Sequence, residues 1–159
     1  MLALLAQAVV IYVGFGDADV LRRFVFPASY VLLVAFVVLN RRRVGFLVIG
    51  IGMLLNLLVI VANGGLMPIA PATMERAGLG DELVELELGD SVPQTKNVLL
   101  DEGDTHLGLL SDRITWGSSG PVPVFSIGDA VIGIGLIIFL VELFLPKLQP
   151  PPRDRLSPT

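Results

Sequence analysis

The chain has 159 residues, of which 53% are hydrophobic and 16% charged, and its formal net charge is −4. A soluble domain carries about a quarter charged residues, so this composition and the mean hydropathy of +0.78 favour a membrane protein. The chain has no cysteine, which excludes disulfides, thiol catalysis and cysteine-bound metals. The length predicts one domain, and the absence of a basic cluster larger than three residues argues against nucleic acid as a partner.

Four apolar stretches carry almost no charge, and each is predicted to cross the lipid bilayer as a helix. Backbone polar groups cannot stay unsatisfied in hydrocarbon, which leaves the helix as the form for such a segment. The predicted spans are residues 2–16, 24–39, 44–62 and 128–145. The first is short, because its length rises roughly 22 Å against a hydrocarbon core of about 30 Å. A thinned bilayer or a start codon upstream of Met1 would account for this.

Basic residues in the short connections predict the orientation of the chain. Arg41, Arg42 and Arg43 lie between the second and third spans, and further basic residues follow the fourth. Because Lys and Arg in short loops stay on the cytoplasmic side, the N-terminus and the C-terminus are both predicted to be cytoplasmic. The proline-rich tail, residues 146–159, is expected to be extended or disordered.

Residues 63–127 then form a long extracytoplasmic loop. This loop has ten acidic and three basic residues, and a loop of such length is usually functional or disordered. Alternating apolar residues at 84–88 predict a half-buried strand, the valine–proline alternation at 121–124 is typical of an edge strand, and residues 105–114 are predicted to form one short helix. The predicted fold class is therefore an all-α membrane protein with four transmembrane helices and a partly structured loop with room for short β-strands.

The third span carries a polar face. Gly45, Gly52, Asn56 and Asn63 are spaced so that they fall on one side of a helix at about 100° per residue. Small residues allow helices to approach closely in a bilayer, and a buried amide seeks a partner across the interface. We interpret this face as a seam that docks on the first or fourth span, with a ligand site as the alternative.

Turn-forming residues follow the third span and are expected to belong to the same seam or binding region: Asn63, Gly64, Gly65, Met67 and Pro68. The Asn-Gly-Gly sequence tolerates left-handed backbone conformations and favours a helix C-cap followed by a turn.

Two aspartates are expected at the outer face of the membrane. Ser126, three residues before Asp129, predicts a capping box at the start of the fourth span, and Asp112 could pair with Arg113 on the loop surface. Alternatively, two close carboxylates share a proton and become an acid and a base. Asp112 and Asp129 are then the candidate catalytic pair of an aspartyl hydrolase. His106 is the only histidine, so no metal and no cofactor is predicted.

The pattern N-G-G-x-M-P, L-x-D and S-I-G-D resembles a family of bacterial membrane proteins described only as a domain of unknown function. The matching residues are Asn63, Gly64, Gly65, Met67, Pro68, Leu110, Asp112 and Ser126 to Asp129. This resemblance covers most of residues 44–145. It implies a multi-pass bacterial membrane protein and brings no activity. We expect the membrane to be the inner one.

A more local likeness is to lipoprotein signal peptidases, four-span proteins with catalytic aspartates in N-x-x-D-R and F-N-x-A-D-x-x-I-x-x-G. The matching residues are Asp112, Arg113, Phe125, Asp129, Ile132 and Gly135. The resemblance implies a catalytic pair, Asp112 and Asp129, that acts on a membrane-anchored substrate. Leu109 and Ser126 stand where the motifs have asparagine, and the long loop follows the third span instead of the first.

Three functions are open on this basis. The first is a non-enzymatic membrane component that binds a protein or lipid partner through the loop. The second is the aspartyl hydrolase. The third is a small transporter that uses Asn56 and Asp129, although no ionisable residue lies deep in any predicted span.

Overall fold

The structure, a computed structural model, describes residues 18–93, 95–117 and 121–145, without the side chains of residues 18–22. The predicted first span and the predicted tail lie outside these residues. The helices are α1 (Ala18–Leu39), α2 (Val44–Ala62), α3 (Pro71–Arg76), α4 (Gly80–Leu83) and α5 (Ile127–Phe144), with a 3₁₀ turn at Gly108–Leu110. The strands are β1 (Met67–Ile69), β2 (Asn97–Leu99), β3 (Ile114–Thr115) and β4 (Val124–Phe125).

Two of the described helices, α2 and α5, are long and apolar enough to cross a membrane. Their bounds agree with the third and fourth predicted spans to within one residue. Helix α1 begins at Ala18, before the second predicted span, and the part of it whose side chains the structure describes, Arg23–Leu39, is apolar but shorter than α2 and α5. The described residues thus support two of the predicted spans, and the four-span arrangement is not supported by them.

Glycines let α2 and α5 pack with their backbones in contact. Gly45 and Gly52 lie seven residues apart on α2, and Gly128 and Gly135 lie seven apart on α5. A Cβ atom added to Gly52 would lie 2.6 Å from the carbonyl oxygen of Gly128. One added to Gly135 would lie 2.6 Å from the amide nitrogen of Ile49. The helix faces therefore have no room for a side chain at these positions, as is common where small residues line a helix interface.

A buried glutamate joins the same two helices at the end far from the loop. Glu142 of α5 is 6% exposed, and its carboxylate accepts hydrogen bonds from the amides of Val44 (3.0 Å) and Gly45 (3.2 Å). The first amides of a helix have no partner within that helix, and a carboxylate there also meets the positive end of the helix dipole. Glu142 thus caps the N-terminus of α2.

We expect Glu142→Ala to lower the free energy of unfolding by about 1–3 kcal/mol, because it leaves one buried amide and one partly buried amide unsatisfied. The measurement is thermal unfolding in detergent. Glu85→Ala is the matched control, since Glu85 lies exposed in the loop. Equal melting temperatures for the two variants would contradict the capping role.

The loop folds around the central strand β1. Strand β2 pairs with β1 in parallel, with Met67 opposite Asn97 and Ile69 opposite Leu99. On the other edge, Asp112 pairs with Ile69, and its amide donates to the carbonyl of Pro68 at 3.2 Å. Strand β1 therefore brings Asn97 and Asp112 together from distant parts of the chain.

The loop has an apolar core of its own. Its buried members are Ile69, Met74, Val92 and Leu99. Strands β3 and β4 form a separate antiparallel pair, and β4 includes Val124 of the predicted edge strand. The expected short β-strands are thus present, and the loop is a folded unit that lies over one end of α2 and α5.

Two local predictions in the loop are wrong. Residues 84–88 form turns after α4 and no strand, because turn hydrogen bonds such as Leu86 N to Leu83 O (3.2 Å) use the backbone locally. Val84 and Leu88 are 86% and 60% exposed, and Leu86 alone of the three alternating apolar residues packs on the core of the loop. In the predicted helix 105–114 only the 3₁₀ turn is helical, since Leu107 before it takes a left-handed conformation (φ 57°).

Candidate functional site

A group of polar side chains fills the junction between α2, α5 and the loop. We call it the polar cluster, and its members are Asn56, Lys96, Asn97, Asp112, Ser126 and Asp129. Asn56 comes from the buried face of α2, and Ser126 and Asp129 come from the start of α5. The other three members come from the loop, beside the edges of β1.

Lys96 lies between the two aspartates. Its Nζ atom is 2.9 Å from Oδ2 of Asp129 and 3.5 Å from Oδ2 of Asp112. The Oδ2 atoms of the two carboxylates are therefore no farther apart than the sum of these two distances. Two negative charges and one positive charge share the site, so the polar cluster has a net charge of −1 when all three groups are ionised.

Amide and hydroxyl groups hold the carboxylates in place. Asn56 Nδ2 donates to Oδ1 of Asp129 at 2.7 Å, and Asn97 Nδ2 donates to Oδ2 of Asp112 at 2.8 Å. The hydroxyl of Ser126 donates to Oδ1 of Asn56 at 2.8 Å, which fixes the direction of that amide. Each carboxylate thus has a cation and an amide as partners.

The predicted capping box at the start of α5 is present. The amide of Asp129 donates to the Ser126 hydroxyl at 3.0 Å, and the amide of Ser126 donates to Oδ2 of Asp129 at 3.2 Å. Asp129 therefore has two roles, because the same carboxylate caps α5 and binds Lys96. The helix start is fastened to the loop through this one side chain.

Burial sets the electrostatics of the polar cluster. Asp112 is 1% exposed, and burial raises its pKa above the ordinary value although Lys96 and Asn97 act in the opposite direction. Burial by itself would lower the pKa of Lys96, but the charges of Asp112 and Asp129 outweigh it and raise that pKa well above its usual range. Lys96 is consequently protonated at neutral pH. Oδ1 of Asp112 is buried and has no hydrogen-bond partner among the described residues.

This geometry gives no support to the aspartyl hydrolase. An acid and base pair requires two carboxylates that share one proton. They share it because two close negative charges repel each other, so that only one of the groups ionises easily. Here Lys96 contacts both carboxylates and supplies the compensating charge. The aspartates come close to each other, as the sequence led us to expect, but as a lysine-bridged ion triad. Within the described part of the chain, no group of three or more His, Asp or Glu residues could hold a metal ion.

The other candidate residues lie outside the polar cluster. Asn63 Nδ2 donates to the carbonyls of Val59 and His106, both at 2.8 Å, and its Oδ1 accepts from the His106 amide at 2.9 Å. Asn63 thus fastens a second point of the loop to the end of α2. The buried strand β1 contains Met67 and Pro68.

Gly64 and Gly65 pack against α1. Both have positive φ (78° and 97°), and a Cβ atom on Gly65 would overlap the carbonyl of Arg23. Pro27, four residues further along α1, has no amide hydrogen, so that carbonyl lacks its usual helical donor. Glycine is therefore required for this close approach.

Three residues at the site were not found from the sequence. Lys96 and Asn97 belong to the polar cluster, and Tyr30 of α1 is buried beside Asn56. The one sequence signal for Lys96 is the small number of basic residues in the loop, which has three of them against ten acidic residues. Asn97 and Tyr30 carry no sequence signal of their own.

Comparison with known proteins gives a family and a relative, neither of which brings an activity. Residues 1–141 match the model of a family of unknown function, DUF5317. The chain is 32% identical over 130 residues to an uncharacterized protein of Thermotoga maritima. The aligned residues cover 79% of this chain and 67% of that protein. No solved structure matches the chain. The chain therefore belongs to the DUF5317 family.

Proposed function

We propose that the chain is a multi-pass protein of a bacterial inner membrane, with four spans and both termini in the cytoplasm. Its loop 63–127 serves as a non-catalytic module at the outer membrane surface that binds a lipid or a membrane protein. The family motif residues have a structural role in this proposal. They fasten the loop to the ends of the helices.

Support for membrane insertion comes from the apolar side chains that α2 and α5 leave uncovered. Leu58 and Val61 of α2 are 57% and 61% exposed, and Ile137 and Phe144 of α5 are 63% and 75% exposed. A monomeric soluble protein seldom exposes large apolar side chains along the whole length of two helices. Lipid chains would cover these faces, and no water is then needed to satisfy the helix backbones.

The ion triad of Lys96, Asp112 and Asp129 is the observation that favours binding over catalysis. It gives both aspartates a cationic partner and fixes the loop on α5. A group so bound is held in one arrangement and has no free base to offer a substrate. Because Asn63 provides a second attachment, the loop presents a defined outer surface to a partner.

The absence of cysteine makes the topology directly testable. We would introduce single cysteines at Glu85 in the loop and at Arg42 between α1 and α2, both exposed positions, and treat whole cells with a membrane-impermeant maleimide. We expect Glu85→Cys to be labelled in intact cells and Arg42→Cys to be labelled only after the membrane is opened. The reverse pattern, or labelling of both in intact cells, would contradict the proposed orientation.

A further inference from the structure

A cavity of ≈ 250 Å³ lies in the loop. Ser111 and Arg113, the neighbours of Asp112 in the chain, line this cavity, whereas Asp112 itself belongs to the polar cluster. Its chemistry comes from two arginines, three hydroxyl groups and one carboxylate. These residues are Arg76, Arg113, Thr73, Thr105, Ser111 and Glu102. They belong to α3 and to the segment between β2 and β3, so the loop fold itself brings them together.

The positive charge at this cavity stands out against its surroundings. The loop has three basic residues, of which Lys96 is bound in the polar cluster and the other two line the cavity. Neither Arg76 nor Arg113 forms an ion pair with a carboxylate in the described part of the chain. Arg76 donates to the hydroxyl of Thr73 at 2.9 Å and to the carbonyl of Ala72 at 3.2 Å, which orients its guanidinium group. With Glu102 included, the lining has a net charge of +1.

The cavity lies close to the ends of the long helices. Its wall includes Gly108 and Leu109 of the 3₁₀ turn, and this turn contacts α2 and α5. Leu110 packs on the apolar core of the helices, while Leu109 is 73% exposed. If the helices cross a bilayer, the cavity is at the level of the lipid headgroups, and Leu109 lies at its edge.

We propose that this cavity binds a phosphate group with a single negative charge, and in the membrane the phosphodiester of a lipid headgroup. Guanidinium groups match phosphate oxygens in geometry and charge. The Thr73 hydroxyl accepts from Arg76 and so keeps its own hydrogen for a phosphate oxygen. The hydroxyls of Thr105 and Ser111 already donate to backbone carbonyls of the loop. A phosphodiester balances the net charge of +1. The location at the headgroup level rests on the proposed membrane function, whereas recognition of the phosphate group does not.

The test uses the full chain purified in detergent and three ligands: inorganic phosphate, the soluble diester glycerophosphoglycerol, and short-chain phosphatidylglycerol. Binding is measured by calorimetric titration for wild type, Arg76→Gln, Arg113→Gln and the double variant. The matched control replaces Arg41 and Arg42 with Gln, which removes the same charge from exposed positions outside the cavity. Melting temperatures verify that each variant is folded.

We expect the diester to bind wild type and the control equally, and each cavity variant to bind it at least about tenfold more weakly, as for loss of one charged hydrogen bond. Tighter binding of the lipid than of inorganic phosphate would support a headgroup as the natural ligand. If inorganic phosphate binds as tightly as the lipid, the result would support the site with a soluble phosphate as its natural ligand. No binding by wild type, or equal binding by the folded double variant, would overturn the proposal. Binding of inorganic phosphate and of glycerophosphoglycerol does not depend on how the chain lies in a membrane. The result of the titration is therefore independent of the result of the cysteine labelling.

Discussion

Lys96→Met is expected to lower the free energy of unfolding by about 3–5 kcal/mol, the usual cost of removing one partner from a buried ion pair. The side chain of Asp112 would then be buried with a charge and no cation beside it, since it is 1% exposed. Asp129 would lose its closest cationic partner as well. Thermal unfolding in detergent measures the effect. Arg113→Met is the matched control, because it removes an exposed loop charge and should change stability by no more than about 0.5 kcal/mol.

A second substitution separates the loss of charge from the loss of packing. Adding Asp112→Asn to Lys96→Met removes the uncompensated buried charge and keeps the shape of the side chain. We expect the double variant to recover most of the lost stability, because replacing both members of a buried ion pair by neutral groups is often close to neutral. A double variant less stable than Lys96→Met alone would show that the triad does not act through charge compensation.

The pH profile of the same variant provides an independent readout. The raised pKa of Lys96 means that its contribution to stability is complete below about pH 10.4, the ordinary lysine value, and is lost as the pH rises above it. This alkaline loss should be smaller in Lys96→Met. Without Lys96 the pKa of Asp112, already raised by burial, rises further, so that the variant should gain stability as the pH falls.

Local patterns explain which parts of this fold could be predicted from the sequence. The apolar run of α2 and the serine–aspartate spacing at the start of α5 depend on residues close together in the chain, and the structure has both elements at those positions. The pattern at 84–88 is local too, but it failed because a short run cannot distinguish a strand from successive turns.

The position of Lys96 depends on contacts that no local pattern records. It precedes β2, and β2 reaches the helix ends only through its pairing with β1, some thirty residues earlier in the chain. The same strand holds Asp112 on its other edge. The two aspartates could therefore be nominated from the sequence, but the cation between them changes their interpretation from an acid and base pair to a structural ion triad.

Gly52→Ala is expected to cost about 2–3 kcal/mol, although alanine is the better helix former. The new Cβ atom would lie 2.6 Å from the carbonyl oxygen of Gly128 and 2.8 Å from the amide nitrogen of Ile132. Both are backbone atoms of α5, so that no side-chain rotation relieves the overlap and the two helices must separate. Asn56, one turn along α2, would then move away from Asp129, and the polar cluster would weaken together with the helix interface.

Gly133→Ala makes the same chemical change on α5 at an open position. No atom lies within 4 Å of a Cβ atom at Gly133, and the higher helix propensity of alanine should raise stability by up to about 1 kcal/mol. The two substitutions should therefore shift the melting temperature in opposite directions. A lower melting temperature in both variants would mean that alanine destabilises these helices for a reason other than contact between them. A higher melting temperature in both would show that the backbones of α2 and α5 do not meet at Gly52. Opposite signs would establish the close contact on which the polar cluster depends.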